Sequence, residues 1–121
     1  MNYHFKLVRG VIIISIKDVE FFSTDSEEVI DTIKSEIEKG NSAFIIDLQK
    51  VSYLNSSGIN LLIAMLTAIR NRGGELVLTS ISAKIKNVLI ITKLNSIFNV
   101  KNSVPEGVDF LNLHTKIDSI K

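Results

Sequence analysis

The strongest constraint on this chain is a repeated alternation. The apolar runs VIIISI, SAFIIDL and ELVLTS are each of strand length, and stretches of helical periodicity separate them. Val11 to Ile16 is a β-branched run suited to a strand buried on both faces. Strands alternating with helices imply parallel pairing through right-handed crossovers. Ahead of them, Tyr3, Phe5 and Leu7 alternate with His4 and Lys6, the period of a half-buried strand, and Arg9-Gly10 supplies a turn. The expected fold class is α/β, a mixed, mostly parallel sheet of four to five strands, opened by an antiparallel hairpin, with helices packed on it.

Helix boundaries are marked by residue type. In STDSEEVIDTIKSEIEKGN, Thr24 with Glu27 matches a capping box, and Gly40 follows the last turn as a stop. Val29, Ile30, Ile33 and Ile37 form the core stripe. In GINLLIAMLTAIRNRGG, Asn60, Thr67 and Asn71 gather into one polar strip. Ile59, Leu62, Ile63, Leu66 and Ile69 lie together, Leu61 and Met65 widen the apolar arc, and Gly73-Gly74 ends the helix. SAKIKNVLIITKL is a third helix with Ile85, Val88, Leu89 and Thr92 on one face, which leaves Ile90 near Lys86 and Lys93 on the solvent side. SIFNV reads as a last short strand, and Pro105-Glu106-Gly107 as a turn or helix start. These elements make one domain over 1–121, with its core in 3–100 and a short C-terminal helix or tail over 101–121.

Composition removes several functional classes. The chain has no cysteine, which excludes disulfides and thiolate chemistry, and a net charge of +1 gives no general attraction to nucleic acid. No signal-like segment and no apolar run near ~20 residues is present, so a cytoplasmic location without membrane insertion is expected. The two histidines, His4 and His114, are far apart and lack a carboxylate at ligand spacing, so no metal site is expected. Glycine-rich phosphate loops are missing, and no cofactor is expected.

The sequence Asn55-Ser56-Ser57-Gly58 stands where an extended stretch runs into the second helix. A small hydrolase using Ser56 or Ser57 would need a placed base, and LNSSG lacks the first glycine of the G-x-S-x-G elbow. No catalytic residue is therefore assigned. All three residues before the glycine are of helix-capping type, and both serines acting only as caps is one reading. The other is modification: a helix start offers unpaired N–H groups and the positive end of the macrodipole, where an esterified phosphate can be held. Such a phosphate adds about 1.5 to 2 negative charges.

Residues 44–98 resemble the core of the STAS domain family, which includes the bacterial anti-sigma factor antagonists. The resemblance rests on Asp47-Leu48, Ser56-Ser57-Gly58, Arg70 with Gly73-Gly74, then Ile85, Val88-Leu89, Thr92, Leu94 and Phe98 in matching order. With the leading strands and first helix it covers nearly all of 3–100. It implies a binding switch and not an enzyme. In the family, the unphosphorylated domain binds an anti-sigma factor that is also a serine kinase; phosphorylation of the serine before the glycine releases it, and a phosphatase resets the cycle. Carried over, the phosphorylated residue is Ser57, and Asn55, Ser56, Ser57 and Gly58 lie at the partner-binding surface.

Three positions depart from the family pattern. Asn55 replaces the aspartate before the serines, Phe21 in EFFST replaces a loop aspartate after the second strand, and Lys93 replaces a frequent glycine in the third helix. Loss of the carboxylate at 55 removes a repulsion against phosphate and also a group that positions the hydroxyl. Phe21-Phe22 before the first long helix is a candidate apolar partner contact, or else a lid over the core. The alternative function is a constitutive STAS subunit of a transport or signalling complex, not phosphorylated. A monomer or weak dimer is expected, with no direct contact to nucleic acid.

Overall fold

The computed structural model describes the backbone of residues 3–18, 20–21 and 26–120, and the side chains of 3–18 and 28–113. Strands β1 (Tyr3–Val8), β2 (Val11–Ile16), β4 (Ala43–Asp47), β6 (Glu75–Thr79) and β7 (Asn99–Lys101) form one sheet in the order β1-β2-β4-β6-β7. Only β1–β2 is antiparallel; β2–β4, β4–β6 and β6–β7 are parallel, as crossovers through helices require. A separate two-stranded parallel ribbon, unexpected from the sequence, joins β3 (Glu20–Phe21) to β5 (Tyr53–Leu54).

The β-branched runs are continuous because both faces of the central strands are covered. On one face, Ile12, Ile14, Phe44, Ile46, Leu76 and Leu78 pack under three helices: α1 (Ser26–Glu38), α2 (Ser56–Arg70) and α3 (Ala83–Ile91). On the other, Val11, Ile13, Ala43, Ile45 and Val77 meet Val108 and Leu111 of α4 (Val104–Ile120). The C-terminal segment, expected as a short helix or tail, is a helix of 17 residues. Ser103 accepts the Glu106 N–H at 3.3 Å, and the Glu106 carboxylate accepts the Asn102 N–H at 3.2 Å, a reciprocal start for α4.

Most of the apolar stripes fall as the periodicity predicts. Val29 and Ile33 of α1 are fully buried, with Ile30 and Ile37 packed at the margin. Leu61, Leu62, Met65, Leu66 and Ile69 bury the inner face of α2. Gly40 and Gly73 each follow a helix in the left-handed region, at φ +99° and +79°. In both cases the paired bonds Gly40→Ile37 with Asn41→Glu36, and Gly73→Arg70 with Gly74→Ile69, close the helix. Thr24 of the expected capping box lies outside the described residues, as does Phe22.

The structure corrects four expectations. Phe5 and Leu7 are 39% and 59% exposed, because β1 is the sheet edge, tied to α1 at its first residue by the 2.9 Å Tyr3–Thr32 hydroxyl contact. Thr92 is exposed and bonds back to Val88 O at 2.7 Å, instead of joining the core face of α3. A 3₁₀ turn, Leu94–Ser96, takes the start of SIFNV, so β7 begins only at Asn99. Lys93 lies just past α3 at φ +64°, which explains why a glycine suits that place.

Two stability predictions come from these backbone features. A Cβ on Gly74 would stand 2.5 Å from the Ser42 backbone oxygen and 2.9 Å from an Ile69 methyl. Gly74→Ala should therefore destabilise by about 1–3 kcal/mol, read as a lower urea midpoint with unchanged slope. Lys93→Gly relieves the left-handed strain against a larger loss of chain entropy, and should stabilise by up to about 1 kcal/mol.

Candidate functional site

The segment between β5 and α2 is built on Asn55. Its backbone is extended (φ −93°, ψ −180°), its side-chain Oδ1 accepts the Gly58 N–H at 2.8 Å, and its carbonyl accepts the Ile59 N–H at 3.0 Å. Asn55 is therefore the N-cap, and Ser56, Ser57 and Gly58 are the first three residues of the helix. Neither serine caps, contrary to the capping reading. Ser56 is exposed, Ser57 half-buried and Gly58 buried. Among the described residues neither hydroxyl forms a hydrogen bond, and no acidic residue occupies the first turn of α2. The site is thus a pair of uncommitted hydroxyls at the positive end of a 15-residue helix dipole.

Two neighbours fix this helix start. The ribbon register Glu20↔Tyr53 and Phe21↔Leu54 brings the backbone of Phe21 beside the residue that precedes the cap. No periodicity announces that pairing, because two-residue strands are too short to show one. On the other side, Ser82 serves two roles. Its Oγ accepts the Ile85 N–H at 3.2 Å as the cap of α3, and donates to Ser52 O at 3.1 Å. The start of α3 is thereby tied to the loop that leads into the site. Ser82 is not among the expected site residues, although a serine before AKIKNVL is a cap signal in its own right.

Asp47, the aspartate that ends β4, has a structural duty. It accepts the Gln49 N–H at 3.1 Å and the Ser15 hydroxyl at 3.4 Å, which holds the turn after the strand. His4 is exposed on β1, and His114 belongs to α4, on the sheet face opposite α2. The geometry thus brings Asn55, Ser56, Ser57, Gly58 and the backbone of Phe21 together and leaves both histidines out. Among the described residues no group of histidines and carboxylates could hold a metal ion, and no helix is long and apolar enough to cross a membrane.

Known proteins share this fold. The family model described as STAS domain matches residues 4–107. BtrV of Bordetella bronchiseptica, a candidate anti-sigma factor antagonist, is 28% identical over 81 residues, covering 67% of this chain and 70% of that protein. The anti-sigma-B factor antagonist of Listeria monocytogenes is 37% identical over 57 residues, covering 47% of this chain and only 50% of its own length. In structure, the anti-sigma factor antagonist SpoIIAA in its unphosphorylated form superposes with a TM-score of 0.75 at 18% identity, covering 92% of this chain and 96% of that one. The Bacillus protein in its phosphorylated form gives 0.68 at 18% identity, covering 89% and 97%. With the family model matching most of its length and the sheet order, helix start and registers in place, the chain belongs to the STAS domain family.

Proposed function

We propose that this chain is an anti-sigma factor antagonist that acts as a phosphorylation-gated protein-binding switch. With Ser57 unmodified it binds a serine-kinase anti-sigma factor; the kinase phosphorylates Ser57 and the complex parts; a phosphatase restores the binding form. The setting for such a cycle is the cytoplasm. STAS antagonists are binding proteins and not enzymes, so the chemistry belongs to the partners.

The observation that carries this reading is the division of labour at the helix start. Asn55 performs the cap through its 2.8 Å bond to Gly58, which leaves the Ser57 hydroxyl half-exposed and uncommitted at the second helical position. A phosphate on Ser57 would meet the free N–H groups of the first turn and the positive dipole end, with no carboxylate in that turn to oppose it. The helix has no need to unfold to receive it. What changes is the surface: about 1.5 to 2 negative charges and three acceptor oxygens appear where the partner docks. Asn55 keeps the cap geometry that an aspartate would give and withholds its charge, so phosphate is accommodated at lower electrostatic cost.

A constitutive, unphosphorylated interaction subunit is the second reading, favoured by Asn55 in place of the family aspartate and by Phe21 at the neighbouring position. Intact-mass measurement on protein from its native cell separates the two. The gated switch predicts a phosphoryl addition of about 80 Da at Ser57, and consistent absence of it under all growth conditions supports the constitutive subunit.

Calorimetric titration against the cognate kinase tests the gate. Wild type and Ser57→Ala should bind alike, while Ser57→Asp should bind at least about tenfold more weakly, or 1.4 kcal/mol. Equal binding by all three would remove the switch and leave the fold untouched. Asn55→Ala should cost about 1 kcal/mol in thermal or urea unfolding through loss of the cap, whereas Asn55→Asp should retain it.

A further inference from the structure

The sheet has two unlike edges. At the β1 edge, Phe5 and Leu7 stand 39% and 59% exposed. Beside them a groove of about 380 Å³ runs along α1, lined by Phe5, Glu28, Asp31, Glu36 and Lys39; the buried Glu36 is paired with Lys39 at 3.6 Å, which leaves Glu28 and Asp31 as its exposed carboxylates. At the β7 edge, α3 exposes Ile90 (48%) and Ile91 (79%), with Ile97 at 39% beyond them. There a groove of about 540 Å³ is lined by Leu89, Ile90, Phe98 and Val100, with Lys86 among its walls. Between Glu75 and Glu106 the chain has four lysines, Lys84, Lys86, Lys93 and Lys101, and no carboxylate.

We propose that these two edges are complementary and that copies of this chain associate head to tail through them. The β1 edge of one copy, with Phe5 and Leu7 protruding, enters the α3–β7 groove of the next. The arrangement is consistent across the sheet, because α1 and α3 cover the same face. Aligning the sheets side by side therefore sets Glu28 and Asp31 of α1 against Lys84 and Lys86 of α3. Apolar surface meets apolar surface, and opposite charges meet at the rim. An unpaired strand at each edge is itself a template for another chain. Because the contacting surfaces differ, the interface is heterologous, and addition does not stop at two copies. The contact uses neither Ser57 nor its neighbours, so it stands apart from the proposed switch.

Sedimentation equilibrium from about 10 µM to about 1 mM tests this, since a contact of modest area populates in that range. At about 0.05 M salt the average mass of the wild type should rise with concentration past that of two copies, and it should fall at about 0.5 M, where charges are screened within a few ångströms. Leu7→Ser and Ile90→Glu, both at exposed positions and checked by circular dichroism, should each be monomeric. Mixed in equal amounts they retain one intact contact, the β1 edge of the Ile90→Glu copy with the groove of the Leu7→Ser copy, and should form a complex of two copies that grows no further. A wild type that stays monomeric at the highest concentration overturns the proposal. So does one whose mass stops at two copies, or a mixture that remains monomeric.

Discussion

The parallel ladder through β2, β4 and β6 is the constraint on which the rest of this molecule depends. Its rows alternate between faces: Ile12, Phe44 and Leu76 lie on one, Ile13, Ile45 and Val77 on the other. Because both rows are apolar, both need cover, and the chain supplies it with three helices on the first face and α4 on the second. Every crossover begins at the C-terminal end of a strand. The starts of α2 and α3 consequently gather at the C-terminal ends of the strands, where the Ser82–Ser52 bond fastens them together. The candidate site is a by-product of that geometry, placed where loops converge on a rigid frame.

At that end of the strands a small chemical substitution leaves the architecture intact. A cap must present an acceptor to the third helical N–H, and an asparagine oxygen does so as well as a carboxylate would. The difference lies in charge, which asparagine does not bring to the position proposed for the phosphate. Lys93 shows the opposite case, in which backbone geometry favours glycine and the chain carries a lysine at positive φ. One departure from the family pattern preserves the local bonds; the other stores a modest strain in an exposed turn.

Much of the fold could be read from periodicity because buried strands and amphipathic helices each repeat a pattern over several residues. The β2, β4 and β6 runs, the stripes of α1 and α2, and the glycine stops after both helices were legible in this way. The β3–β5 ribbon was not, since two residues carry no period, and its pairing depends on long-range position. Phe5 and Leu7 had the right alternation, yet alternation shows which side a residue faces and not whether a helix covers that side. At the site, residue types identified the helix start, but Asn55, Ser56 and Ser57 all favour capping, and only the backbone angles assign the role to Asn55.

The proposed switch rests on Ser57 changing the charge of a fixed surface. The most direct measurement is the affinity of the cognate kinase anti-sigma factor for this protein carrying authentic phosphoserine at 57, compared with the unmodified form, alongside the melting curve of each. The account predicts tight binding by the unmodified form, at least about tenfold weaker binding by the phosphorylated one, and closely matching melting curves. Equal affinities, or weaker binding accompanied by cooperative loss of the fold, would contradict it.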